Sequence, residues 1–336
     1  MIVRQPAATC GQYDRQDVEA GRSASLSDVD HSHVMAALTT SERQQLLGKS
    51  DLAGLRHLAG HLAALALSTW LVLTTGPWRP ASMLIQGMLL VFLFTLLHET
   101  AHRTPFRTRR LNDAVGRLCG FVVLIEFDWF RAFHLAHHRY TNDPDRDPEL
   151  ATARPATPWR YALYLSGIPD LVGRVSKLLS TSAFGTTDDF VPESAKRTVK
   201  RNARLQLLLY LVATAASVAL GTWVLMITWL VPMAMAGPFL RAYLLAEHAG
   251  CPDHPSMFVN TRTVFTNPIV RFVAWNMPYH AEHHSFPAVP FHKLAAFHKH
   301  TRSHLEATAS GYLRFSASYL QRLRGEDFVQ PTREQP

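Results

Sequence analysis

Three short stretches of histidines at helical spacing restrict this chain more than any other feature of its sequence. They read HETAH at residues 98–102, HLAHH at 134–138 and HAEHH at 280–284. Eight of the eighteen histidines lie in them: His98, His102, His134, His137, His138, His280, His283 and His284. Spacings of i, i+3 and i+4 put side chains on one helix face, so each stretch aims its imidazoles at a single point. Neutral imidazole is the commonest protein metal ligand, and eight exceed what one tetrahedral zinc can use. A fold that satisfies this pattern must bring three distant helical segments together around two metals. His248, in LLAEHAGCP, is the candidate ninth ligand; the alternative is a histidine satisfied by its neighbours.

The apolar residues decide where such a site can stand. Hydrophobic content is an ordinary 47%, but it is bunched into long runs at about 58–76, 83–97 and 205–245. A span needs roughly 20 apolar residues. The second run reaches that length only if its helix continues through the first histidine stretch, which places the stretch at the membrane–water boundary. The third run is twice one span and divides near residues 221–225 into two helices. His61 and Gln86 interrupt the first pair; with no second histidine at helical spacing in its run, His61 reads as a hydrogen-bonding residue inside the bundle. The fold expected is all-α and integral to the membrane, with four transmembrane helices plus interfacial helices.

Charge gives this bundle an orientation. The net charge of +8 and pI near 9.6 raise the question of nucleic acid. The basic residues, however, border the apolar runs and form no stripe interleaved with exposed aromatics, which fits a membrane surface and argues against a nucleic-acid partner. Lys49 and Arg56 precede the first helix, and Arg103, Arg107, Arg109 and Arg110 follow the second. Lys196, Arg197, Lys200, Arg201 and Arg204 precede the third, whereas the first hairpin turn holds only Arg79 and the second none. Lysine and arginine mark cytoplasmic loops, so both termini and all histidine stretches are expected in the cytoplasm.

Residues 1–50 are polar, with no apolar segment of the secretory kind, and read as a flexible cytoplasmic tail in which His31 and His33 are surface residues. Residues 51–336 read as one catalytic domain. Cys10, Cys119 and Cys251 are scattered and imply neither a disulfide nor a cysteine–zinc framework. Residues 118–130 and 159–179 are apolar but short or charged, and are expected as interfacial helices. The segment NDPDRDPE at 142–149 is a loop. Tyr312, Phe315, Tyr319, Leu320 and Leu323 recur at helical spacing, consistent with a surface-lying helix or an ordinary packing helix.

Taken alone, HETAH also matches the H-E-x-x-H helix of zinc metalloproteases, with Glu99 as general base. That reading, an intramembrane protease, leaves HLAHH and HAEHH without a role. A non-enzymatic membrane metal-binding protein is a third reading, distinguished by readily exchanged metal and no lipid product. Glu99 and Glu282 either orient ligand imidazoles or face water. His292, His298, His300 and His304 are expected as solvated or supporting residues.

With these three boxes on two helix pairs, the chain resembles the membrane fatty acid desaturases with their hydroxylase and alkane-oxygenase relatives. The resemblance covers residues 52–304, and the third box continues as SFPAVPFHKL, similar to that family's F-P-x-x-P sequel. It implies two iron ions held by the eight box histidines and His248, with O2 as co-substrate and hydrogen removed from an unactivated C–H bond of a fatty-acyl or lipid-like chain. Desaturation is the expected outcome; hydroxylation, or decarboxylation to a terminal alkene, are alternatives within the superfamily. Two departures from the animal acyl-CoA branch, three residues inside the first box and Leu244 where that branch has asparagine, make the pattern similar to bacterial members. With no fused cytochrome visible, the resemblance implies a separate electron donor, ferredoxin or a rubredoxin-like protein with its reductase, and a bacterial inner-membrane location. A lipid tail would need an apolar tunnel, with Phe127, Trp129, Phe130 and Trp275 as candidate lining.

Overall fold

The computed structural model describes residues 31–325. The described chain opens with two short helices, α1 (His31–Ala37) and α2 (Thr40–Leu47). A capping box starts α2: the Thr39 hydroxyl accepts the Glu42 N–H, and the Glu42 carboxylate accepts the Thr39 N–H at 2.8 Å. Val34, Met35, Leu38 and Leu46 are buried in the main core. Residues 31–47 therefore pack onto the domain, which differs from a flexible tail running to residue 50. Four apolar anchors in a charged segment are too sparse to register as a periodic pattern. Residues 1–30, with Cys10, lie outside the described residues.

The first hairpin joins α3 (Asp51–Thr74) to α4 (Arg79–Val91) through a turn at Gly76, whose φ of 51° suits glycine. Ser50 caps α3 by accepting the Ala53 N–H at 3.2 Å. After a break at Phe92, α5 (Leu93–His102) carries the chain to the first histidine box. From Gly76 to His102 is 27 residues, about 40 Å at helical rise against a hydrocarbon core of about 30 Å. The box accordingly falls where the helix leaves the membrane.

Four helices then lie between the hairpins: α6 (Arg109–Val122), α7 (Phe127–Tyr140), α8 (Pro158–Leu165) and α9 (Ile168–Phe184). Each expected interfacial helix is divided. At 118–130, α6 stops at Val122, Leu124 turns left-handed with φ 62°, and Glu126 opens α7 by accepting the Asp128 and Trp129 N–H groups at 3.1 and 2.7 Å. At 159–179, Gly167 (φ 69°) separates α8 from α9. A capping carboxylate and one glycine override the continuous apolar character. Trp159, Ile168, Val172 and Phe184 remain exposed on α8 and α9, as helices lying along a membrane surface require.

The second hairpin runs through α10 (Glu193–Ala219), a turn at Gly221 (φ 60°), a π-helical turn at Met226–Leu230 and α11 (Val231–His248). Four helical stretches, Thr40–Thr74, Gly76–His102, Glu193–Ala219 and Met226–His248, are long and apolar enough to cross a membrane. The hairpins approach closely at Gly87, where a Cβ would stand 1.9 Å from the Pro232 carbonyl oxygen. The polar intruders act as crosslinks. Gln86 donates to Thr69 Oγ1 and the Thr228 carbonyl at 2.9 and 3.1 Å, and His61 Nε2 lies 2.9 Å from the Leu89 carbonyl oxygen.

The rest of the chain closes the histidine-bearing end as α12 (Met257–Asn260), α13 (Pro268–Val273), α14 (His280–Ser285), α15 (Phe291–Thr301) and α16 (Tyr312–Leu323). A two-residue parallel pair, β1 (Thr263–Val264) with β2 (Thr308–Ala309), ties them together. On α16, Tyr319 is buried and donates to the Pro155 carbonyl at 2.7 Å, while Leu313 is exposed. That helix packs by one face and keeps an apolar residue outside.

Candidate metal centre

Each imidazole is placed by a helix end. The last turn of α5 supplies His98 and His102, the second half of α7 supplies His134, His137 and His138, and the final residue of α11 is His248. The short α14 supplies His280, His283 and His284. It follows Trp275 and Asn276, both left-handed at φ 51° and 58°, with the Trp275 ring wedged against His57 and Phe291.

These segments meet. One ring nitrogen from each of His98, His134, His138 and His283 falls within a 4.8 Å cluster, and His137, His248 and His284 form a second. His102 Nε2 joins the first group, 2.7 Å from His134 Nε2 and 3.2 Å from His138 Nε2. His280 Nε2 joins the second, 3.2 Å from His248 Nε2. The His138 and His284 rings stack at 3.9 Å, so the two groups adjoin. The structure thus brings all nine sequence-predicted histidines together.

Their chemistry fits metal ions. His98 Nε2, His283 Nε2 and His284 Nε2 are buried without a hydrogen-bond partner, an arrangement that is costly unless a cation takes up the lone pairs. Burial pushes His134, His138, His280 and His284 well below the usual imidazole range, and the neighbouring imidazoles push them further. Burial, with His137 beside it, brings His283 down to about 3. Neutral rings with converging nitrogens are the donor set a divalent metal needs. His137 differs: burial lowers it, but the Glu149 and Asp147 carboxylates outweigh burial and raise it.

Carboxylates stand behind the rings. Asp147 Oδ1 and Glu149 Oε2 lie 3.0 and 3.3 Å from His137 Nδ1, Glu99 Oε1 lies 3.3 Å from His283 Nδ1, and Glu247 Oε1 lies 3.4 Å from His280 Nδ1. Glu99 is fully buried and accepts the Thr104 hydroxyl at 2.8 Å, so of its two alternatives it faces a ring and not water. Glu282, also buried, instead engages Thr263, Thr301 and His298, tying α14 to β1 and α15. His298 thereby serves Glu282, while His304 stacks against Phe258. Sequence reasoning missed Asp147, Glu149 and Glu247. The first two sat in a segment readable only as a loop, and the third beside His248 carried no pattern of its own.

A cavity of about 660 Å³ opens against this centre, within the roughly 300–1,000 Å³ usual for ligand sites. Its wall includes His98, His134, His137, His248 and His280. Trp129 and Phe130 line it, as expected. Phe127 packs instead in the core against Gly116, and Trp275 is buried in the core against His57 and Phe291.

The fatty acid desaturase family model matches residues 68–316, the span that holds every one of these histidines. The chain belongs to the fatty acid desaturase family. It is an all-α integral membrane oxidoreductase of the desaturase type. The dihydrorhizobitoxine desaturase of Bradyrhizobium elkanii is 27% identical over 307 residues, covering 86% of this chain and 84% of that protein. A fatty acid desaturase of Bacillus subtilis is 23% identical over 261 residues, 71% of each chain. The sn-1 acyl-lipid omega-3 desaturase (ferredoxin) of Nostoc sp. (strain 36) is 30% identical over 92 residues, 27% of this chain and 24% of its own.

Proposed function

We propose that this protein uses O2 and two iron ions to introduce a double bond into a fatty-acyl or similar alkyl chain. The observation that carries this is the pair of converging imidazole groups, members of both of which line one ligand-sized cavity. His98, His102, His134, His138 and His283 would hold one ion, and His137, His248, His280 and His284 the other. Bound iron would supply the oxidising power to remove hydrogen from an unactivated C–H bond. The chain's own groups do the rest: Glu99, Asp147, Glu149 and Glu247 fix the imidazoles they face, and Phe94, Trp129 and Phe130 hold alkyl substrate and exclude water. Overall, the substrate loses two hydrogens and O2 becomes two waters, so two electrons must come from a donor. A separate ferredoxin or rubredoxin-like protein with its reductase is proposed, a reading supported by the word ferredoxin in the Nostoc relative's name.

The basic flanks support a bacterial inner-membrane protein with the centre and both termini in the cytoplasm. Residues 51–336 make up the catalytic domain in this reading, with α1 and α2 packed on it. The test is elemental analysis and product analysis on the purified full chain. About two irons per chain and an unsaturated product are expected; a single zinc would overturn the proposal. His248→Ala should insert in the membrane but lose iron and turnover, whereas His254→Ala should match the parent. Equal iron in the two variants would remove His248 from the ligand set.

A further inference from the structure

The cavity beside the histidines has two unlike ends. One end is aromatic and aliphatic: Phe94, Ile125, Phe130 and Phe133 line it, with the Phe130 ring 5.5 Å from that of His134 and parallel to it. The other end is charged and lies against the second histidine group, where Glu149 and Glu247 stand within 3.4 Å of His137 and His280. Both acids are thus occupied by imidazole nitrogens. Of the cavity's cations, Arg174 and Arg241 share Asp170, and Lys177 pairs with Asp188. Arg160 is exposed at the start of α8.

Arg154 is the exception. It is half-buried, and among the described residues it has no carboxylate within ion-pair distance. Its guanidinium donates to Asn142 Oδ1 at 2.5 Å, the Asn142 N–H donates to Asp147 Oδ2 at 2.8 Å, and Asp147 Oδ1 lies 3.0 Å from His137 Nδ1. Three short contacts therefore fix this cation beside the second histidine group. A partly buried arginine that lines a ligand cavity and has no acidic partner is a carboxylate-binding arrangement.

We propose that the substrate carries a free carboxylate held by Arg154, with its alkyl part turned toward Phe94, Ile125 and Phe130. This rests on the desaturase reading and sharpens it. The substrate is an unesterified acid, and because the anchor stands beside the histidines, the C–H bond attacked lies near the acid end. An ester or thioester offers Arg154 no charge and leaves the cation unpaired.

Equilibrium dialysis of octanoate and methyl octanoate against the full chain in lipid nanodiscs, corrected with empty nanodiscs, tests this. Octanoate should bind at least ~10-fold more tightly than its ester, the scale of a charge-assisted hydrogen-bonded pair. Arg154→Gln should weaken octanoate ~10- to 100-fold, down to the level of the ester, and Arg154→Lys should keep the preference for the acid. Equal binding of acid and ester by the parent overturns the proposal, as does a preference that survives Arg154→Gln. Iron measured on the same samples separates the two claims. A parent chain that holds two irons but shows no preference for the acid defeats the anchor alone, whereas one without iron defeats the desaturase reading.

Discussion

Asp147 shows how much of the centre depends on a residue that donates nothing to a metal. Its carboxylate is buried, faces His137 Nδ1 at 3.0 Å, and also accepts the Asn142 and Glu149 N–H groups at 2.8 and 2.9 Å. It therefore sets the ring's orientation and fixes which nitrogen is left for a cation. Partners of this kind typically change metal affinity by about 10- to 100-fold. Asp147→Ala should weaken iron binding by that factor, read by competition with a chelator, with a smaller effect for Asp147→Asn, which keeps an acceptor. Unchanged iron affinity in both variants would show that His137 is oriented by Glu149 alone. The eight box histidines were legible because helical spacing turns a linear pattern into a face, whereas His248, outside every box, had only its place at the end of an apolar run to mark it. The carboxylates behind them were not, because Asp147 lies among turn-forming aspartates and prolines whose local chemistry looks the same whether or not a ring lies above them.

At the scale of elements, apolar run length located the four long helices, but their ends and breaks followed local chemistry. α3 begins at Asp51, well before the apolar run at residue 58, because Ser50 supplies a cap and Asp51 an acidic first turn. The apolar stretch at 118–130 became two helices because Glu126 starts α7. That carboxyl carries a pH signature. Burial, with Asp128 beside it, raises it to about 8 from 4.5, against the pull of its two N–H bonds. A carboxyl raised in the folded state favours folding while protonated, so its contribution is complete below pH 4.5 and lost as pH rises through 8. Between those values the parent's unfolding midpoint should fall more steeply than that of Glu126→Gln, which has no proton to lose. Parallel slopes would show that Glu126 ionises freely in the fold. Gly87 is a second element-scale test, because its missing side chain lets α4 meet α11. A Cβ there would stand 1.9 Å from the Pro232 carbonyl oxygen, so Gly87→Ala must push the helices apart. Overpacking of this kind costs about 1–3 kcal/mol, visible as a lowered thermal midpoint in detergent.

For the molecule as a whole, orientation follows from where charge can sit. The hairpin turns at Gly76–Trp78 and around Gly221 lie at one end of the four spans, and the histidine centre lies at the other. At the histidine end, α10 alone carries Lys196, Arg197, Lys200, Arg201 and Arg204 in its opening turns, while Arg103, Arg107, Arg109 and Arg110 cluster beyond α5. At the turn end stands Arg79. α10 is 27 residues long, about 40 Å, so its basic turns extend past a hydrocarbon core of about 30 Å. Placing that end outside the cytoplasm would carry nine cations across the membrane in segments short enough to obey the positive-inside rule. Single cysteines placed at Trp78 and Thr222 should therefore react with a membrane-impermeant maleimide in intact cells. A cysteine at Lys196 should react only after the cells are opened. Labelling of the Lys196 position in intact cells would reverse the topology and put the centre on the outer face, away from any cytoplasmic electron donor.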